Sequence, residues 1–422
     1  MRILIAALWA CASASILLCG SPAQAGGEKV LYSFCSQTNC ADGAGPRASV
    51  LQVKGKLYVT ASQGGDPASQ SGTVVALDRK KGAVDAVYSL ANYDIRESES
   101  PLIHVNGKLY GISADGGTGD GGNGAGTVFS LDPKKGTVKI VYSFCSQQNC
   151  TDGALPLAGL LDVNGVFYGT TLVGGGPAGC QGPYPGCGTL FSLDPATGEE
   201  TVLYSFCQTD FCADGSRPAG ALVSLNGLLY GTTSAGGQGN GCSDTGLGCG
   251  IVFALDPSTG AETVLHTFAG IADGGAPAAG LIAVNGTLYG TTQFGGSSTF
   301  CGDWEGCGTV FSIDPLSGAE TILHIFKDNG KDGQNPYGGL VAVKGKLYGT
   351  TVNGGVNGKG TVFSLDLGTG KEKVEYAFCG QPSCADGAQP YAGLVESGGT
   401  LYGTTDIGGA NNNGGTVFSI KP

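Results

Sequence analysis

The chain has 422 residues, 34 acidic against 22 basic side chains, and a formal net charge of −12. That balance repels polyanions and excludes nucleic acid or an anionic lipid surface as a natural partner. Only 13% of residues are charged and 78 are glycine, yet 41% are hydrophobic and fall in regular runs, the mark of a folded, turn-rich chain rather than a disordered one.

The first residues, MRILIAALWACASASILLCGSPAQAGG, place one arginine before an apolar run and end it with small residues at Ala23 and Ala25. This reads as a secretory signal over residues 1–25, with the mature chain starting near Gly26. Lipid attachment at Cys19 is disfavoured by the bulky Leu18 before it. No later stretch is apolar for long enough to cross a bilayer as a helix.

After the signal comes "VLYSF" at Val30–Phe34, and then one pattern repeats to the end. "LYGTT" or a close variant recurs seven times, at Tyr58, Tyr110, Tyr168, Tyr230, Tyr289, Tyr348 and Tyr402, at intervals of 52 to 62 residues. "GTVFSLD" follows at Gly72, Gly126, Gly188, Gly250, Gly308, Gly360 and Gly415. "VLYSF" recurs at Tyr88, Tyr142, Tyr204, His266, His324 and Tyr376. Markers in a constant order at such a period identify a repeat architecture.

Each unit reads as four strands, A to D. A run such as "PAGALVSL" (A) is joined by Asn226-Gly227 to "LLYGTT" (B), and a glycine-rich insertion leads to "GIVFALD" (C). A "DPxTG" turn then leads to "ETVLHTF" (D). Asn-Gly between β-rich runs predicts a tight primed turn, because both residues tolerate positive φ. The ends of the pattern are informative: the seventh unit supplies A, B and C near 390–420 and stops, whereas Val30–Phe34 is a D strand with nothing before it. Pairing the two covers two open edges. The expected fold is all-β: a seven-bladed β-propeller of four-stranded antiparallel blades. It forms one domain over 26–422, with strand 29–34 completing the blade of 390–420.

Sixteen cysteines are present, two of them (Cys11 and Cys19) in the signal. The other fourteen form seven close couples, Cys35-Cys40, Cys145-Cys150, Cys180-Cys187, Cys207-Cys212, Cys242-Cys249, Cys301-Cys307 and Cys379-Cys384. In an exported chain this predicts local disulfide staples. Their scattered spacings suit neither a zinc site nor a redox dithiol, and His104, His266 and His324 lie in strand patterns. No metal or cofactor is expected. In an up-and-down blade the B–C loops and D-to-A crossings emerge on one face, so the staples mark that face as the binding surface.

Six crossings carry "DGxxP" with Asp42, Asp152, Asp214, Asp273, Asp332 or Asp386. These read first as turn carboxylates accepting backbone N–H bonds. The functional alternative is an acidic ring around the channel mouth, where the second unit would offer Glu97 and Glu99 instead. Tyr184, Phe300 and Trp304 sit in or beside B–C insertions and are candidate platforms for a sugar or peptide. Neither a phosphate loop nor a serine nucleophile elbow is present.

The unit "GLxxxxGxLYGTTxxGG…GTVFSLDPxTG" resembles the GloVer tandem repeat of exported bacterial proteins. That resemblance implies a propeller-like array and export, with no established catalytic activity. The expectation is a monomeric, secreted, periplasmic or cell-surface binding propeller without catalysis, its partner a glycan, a peptide or an envelope protein. A purely structural envelope module and an extracytoplasmic lyase or hydrolase are the alternatives.

Overall fold

The computed structural model describes residues 27–65, 71–119, 124–176, 180, 184–237, 248–297, 300–301 and 304–422. Residues 1–25, the expected signal, and Cys242 lie outside them.

Blade 4 shows how a unit folds. Its strands are Val223–Leu225 (A), Leu228–Thr233 (B), Ile251–Leu255 (C) and Glu262–Thr267 (D), hydrogen-bonded in that order. The A–B turn has Asn226 at φ 53° and Gly227 at φ 85°, a left-handed pair that matches the twist of the strands it joins. Where lysine replaces asparagine the same geometry persists, with Lys54 at φ 48° and Lys344 at φ 50°. Each of the other full blades repeats this order, over residues 51–89, 103–143, 161–205, 282–325 and 341–377 (blades 1, 2, 3, 5 and 6). A register shift between C and D, such as that between Val252 and Phe253, bulges the pairing and increases local twist.

The seventh blade closes the ring. Strands Val395–Glu396, Leu401–Thr405 and Thr416–Ile420 are completed by Lys29–Ser33, which pairs antiparallel with Thr416–Ile420. The protein is therefore a seven-bladed all-β propeller in which the first and last strands share a blade.

Among the described residues there is no single core. Apolar side chains collect in wedges between neighbouring blades. Leu190 and Phe206 of blade 3 and its crossing meet Leu229 and Phe253 of blade 4, for example. The phenylalanine that follows the D strand in blades 2 to 6 is fully buried and meets the C-strand phenylalanine of the next blade edge-on, as in Phe206–Phe253 and Phe268–Phe311, at 5.2 and 5.1 Å. The wedge between blades 7 and 1 is built the same way from Phe34, Tyr402 and Val417 against Leu57, Val59 and Val75. A strands meet at the centre and D strands form the rim.

Crossings and B–C loops share a face, as expected. Short bridges such as Ala44 with Gln63, Ser216 with Ala235 and Ala388 with Ile407 tie each crossing to the loop of the blade it enters. The loops also hold on to the next crossing: Arg217 N–H donates to Cys187 O at 2.8 Å and Ala276 N–H to Cys249 O at 2.9 Å. Among the described residues no helix is long and apolar enough to cross a membrane.

Candidate functional site

The expected staples form at Cys35–Cys40, Cys145–Cys150, Cys180–Cys187, Cys207–Cys212, Cys301–Cys307 and Cys379–Cys384. Cys249 is also disulfide-bonded, and its expected partner, Cys242, lies outside the described residues. The couples of the blade 3 loop and the following crossing lie against one another, with all four sulfurs within 4.8 Å. Paired as disulfides, they offer no thiolate to a metal.

The six aspartates lie beside the rim strands. Asp152 accepts from Tyr142 Oη at 2.8 Å, Ser146 N at 2.9 Å and Gln147 N at 3.3 Å. Tyr32 with Asp42, Tyr204 with Asp214 and Tyr376 with Asp386 repeat the arrangement. In two blades histidine stands in for tyrosine: His266 Nε2 is 3.2 Å from Asp273 and His324 Nε2 3.3 Å from Asp332. These carboxylates organise the crossings. They do not ring the channel, because the group holding each one belongs to an outermost strand. Burial acts to raise the Asp42 and Asp214 pKa values, but the hydrogen bonds from tyrosine, serine or threonine and backbone N–H groups outweigh it and leave both lowered.

A third group joins these pairs that the sequence reading did not single out: the glutamate that starts the D strand of the following blade. Tyr142 Oη also donates to Glu200 at 3.3 Å. Burial, and then the charge of the adjacent aspartate, push Glu200 up to about 8 and Glu28 and Glu262 up to about 7, from an ordinary 4.5. A group whose folded pKa is raised contributes stability that is complete below its unfolded value and is lost as pH rises through the folded value. The thermal midpoint is therefore expected to be highest near pH 4.5, where the aspartates are ionised and the glutamates still protonated, and to fall by several degrees as pH rises to about 8. The triple variant Glu28→Gln, Glu200→Gln, Glu262→Gln should flatten that decline in scanning calorimetry. An unchanged slope would assign the decline to other groups.

The aromatic candidates divide. Tyr184 is half-buried, packs beside Cys145, Cys150 and Ala154, and donates its hydroxyl to Gly124 O at 3.0 Å. It fastens the blade 3 loop to blade 2 and its crossing and is not a free platform. Phe300 and Trp304 fall in a short hairpin in which Phe300 pairs with Glu305 and Cys301 with Trp304. Phe211, at the tip of a stapled crossing, was not a candidate from sequence. It is 83% exposed at φ 56°, where the equivalent crossings carry Asn39, Asn149 and Ser383.

The channel mouth is built differently. The proline that ends a crossing packs on the first C-strand glycine of the preceding blade, so tightly that a Cβ on Gly188 would lie 2.6 Å from Pro218 Cδ. The next residue is thereby delivered to the axis. Arg47, Glu99, Leu157, Ala219, Tyr337 and Tyr391 occupy this position in six different blades and line one cavity of about 140 Å³. The set is strongly asymmetric. Arg47 Nε and Nη2 meet Asp406 Oδ1 and Oδ2 at 3.0 and 3.2 Å, and Nη1 meets Glu99 Oε1 at 3.1 Å. The guanidinium carbon lies 5.1 Å from the Tyr391 ring centre, and Tyr391 meets Tyr337 edge-on at 5.5 Å. Burial raises the pKa of Glu99, opposed by Arg47, and burial raises that of Tyr337.

Tyr337 and Tyr391 also border a cleft of about 570 Å³, lined by Gln293, Phe294, Gln334, Asn335, Val352 and Asn353 among others. The sequence signal for this site was present in the alignment of units: position 47 and its equivalents vary while the proline before most of them does not. Of the residues concerned, only Glu99 had drawn notice.

Solved propellers resemble the chain in fold. The extracellular domain of a B. thetaiotaomicron protein described as a hybrid two-component system aligns with a TM-score of 0.57 at 11% identity, over 93% of this chain and 39% of that one. BamB from Moraxella catarrhalis aligns at 0.47 and 14% identity, over 89% of this chain and 85% of that one. An oligogalacturonate lyase in complex with manganese aligns at 0.49 and 11%, over 94% and 96%. No curated protein sequence matches the chain. The family described as Gloeobacter/Verrucomicrobia repeat matches residues 22–181, 178–302 and 298–422, which together span nearly all of the chain, and the protein belongs to that family.

Proposed function

We propose that the protein is an exported, noncatalytic binding propeller that takes a glycan in the cleft running from the channel mouth across blades 5 to 7. The observation that carries this reading is where the units stop resembling one another. Arg47, Glu99, Tyr337, Tyr391 and Asp406 come from four blades and gather at one mouth, beside a cleft furnished with aromatic rings and side-chain amides. Aromatic faces cover the apolar face of a sugar ring, and amides both donate to and accept from hydroxyls. Arg47 is already engaged by two carboxylates, so the mouth favours an uncharged chain over an anionic one. The disulfides and the signal-like first residues are in keeping with export.

The test is a glycan-array screen of oxidised protein lacking residues 1–25, followed by titration calorimetry on the best neutral hit. Tyr337→Ala with Tyr391→Ala is expected to weaken binding at least tenfold, since aromatic contacts of this kind contribute about 1.5 kcal/mol or more together. Unaltered affinity in the double variant would place the ligand elsewhere, and turnover of a bound glycan would overturn the noncatalytic reading.

A further inference from the structure

On the rim, away from the channel mouth, the two histidines that replace tyrosine change what the Tyr–Asp–Glu arrangement can bind. With tyrosine, the hydroxyl proton is donated into the carboxylates, as Tyr142 does to Asp152 and Glu200. A neutral imidazole with its proton on Nδ1 instead presents a lone pair at Nε2. His324 Nε2 lies 3.3 Å from Asp332 Oδ2, and a ring nitrogen of His324, an Asp332 oxygen and a Glu372 oxygen lie within 4.8 Å of one another. They come from three separate segments: the D strand of blade 5, the crossing that follows it, and the start of the D strand of blade 6.

We propose that His324, Asp332 and Glu372 form a binding site for a divalent transition metal, with Zn²⁺ as the fitting ion. One imidazole nitrogen and two carboxylate oxygens make a three-ligand set of the kind zinc takes while leaving a coordination position open. Glu372 Oε1 is shielded from solvent and has no hydrogen-bond partner among the described residues; the same holds for the equivalent Oε1 atoms of Glu28, Glu200, Glu262 and Glu320, so the unpartnered acceptor is a feature of the repeat, and it is the histidine that completes a ligand set here. Asp332 Oδ2 already accepts from Lys327 N at 3.2 Å, which holds the carboxylate in place for a ligand role. The Asp332 and Glu372 carboxylates converge there, and a divalent cation relieves their repulsion. The set opens on a cavity of about 380 Å³ whose lining also includes Lys327, Lys331 and Lys373. Lys373 is engaged by Glu375 at 2.6 Å. The positive charge around the opening favours water-derived hydroxide or another anionic group as the remaining ligand.

The test uses oxidised, chelator-treated protein titrated with Zn²⁺ by calorimetry, with bound metal counted after dialysis and Co²⁺ absorption as a second readout. Wild-type protein is expected to retain one equivalent at this site. His324→Tyr puts back the residue that most other blades use at this position, so the fold is preserved, and thermal melting verifies this. That variant is expected to lose the equivalent, Glu372→Gln to weaken binding at least tenfold, and His266→Tyr to leave it unchanged. Absence of binding in the wild type, retention in His324→Tyr, or an equal loss in His266→Tyr each overturns the assignment.

Discussion

Removing residues 26–35 is expected to lower the thermal midpoint by far more than removing the exposed final residues 421–422. Strand Lys29–Ser33 supplies the rim of blade 7 through its pairing with Thr416–Ile420. Phe34, fully buried, fills the wedge against Val50, Leu57, Val59 and Val75, and its N–H donates to Gly415 O at 3.0 Å. Loss of a buried phenylalanine side chain alone costs about 3–5 kcal/mol. The Cys35–Cys40 bond goes too, at roughly 2 kcal/mol. The ring also opens, leaving the backbone edge of Thr416–Ile420 unpaired and available to another chain. Calorimetry combined with light scattering on the truncated chain should show a much lower midpoint and self-association. A monomer with an unchanged melting curve would mean that the shared blade contributes nothing to closure.

The second large effect concerns Gly290 and Phe311, directly opposite one another on strands B and C of blade 5. A Cβ on Gly290 would stand 2.6 Å from Phe311 Cζ and 2.8 Å from Leu281 Cδ2, both side chains buried, so Gly290→Val overpacks the wedge and should cost about 3 kcal/mol. The same glycine faces the same ring in Gly111–Phe129, Gly169–Phe191, Gly231–Phe253, Gly349–Phe363 and Gly403–Phe418. Blade 1 is the exception, and it changes both members, to Val59 opposite Val75, each fully buried. Phe311→Val alone leaves a cavity and should cost about 2 kcal/mol. The double variant is expected to be more stable than Gly290→Val alone, with a favourable coupling of about 1 kcal/mol or more in denaturant titrations. Strict additivity would show that the two positions do not share the wedge space.

The repeat made the fold legible because its determinants are local. Asn226-Gly227 specifies a turn within two residues, the cysteines pair five to seven residues apart, and the glycine-to-phenylalanine register recurs in every unit but one. The orphan strand at Val30–Phe34 was legible for the same reason: a missing member of a known pattern can be counted. The turn role of the six aspartates was also readable from "DGxxP", whereas an acidic ring at the channel was not where the fold put them.

What only the tertiary structure decided is which departures from the repeat meet. Arg47 and Asp406 are 359 positions apart and become bidentate partners only because closure brings blades 1 and 7 side by side. Glu372 reaches His324 and Asp332 only across a blade interface. Tyr184 had the composition of a platform, but its hydroxyl found the Gly124 carbonyl of a neighbouring blade. A repeat sequence determines each blade through contacts between near neighbours, where chain connectivity limits the options. The sites lie where the ring sums one variable residue from each blade, and that sum depends on the number of blades and the closure of the ring, properties of the whole assembly rather than of any segment.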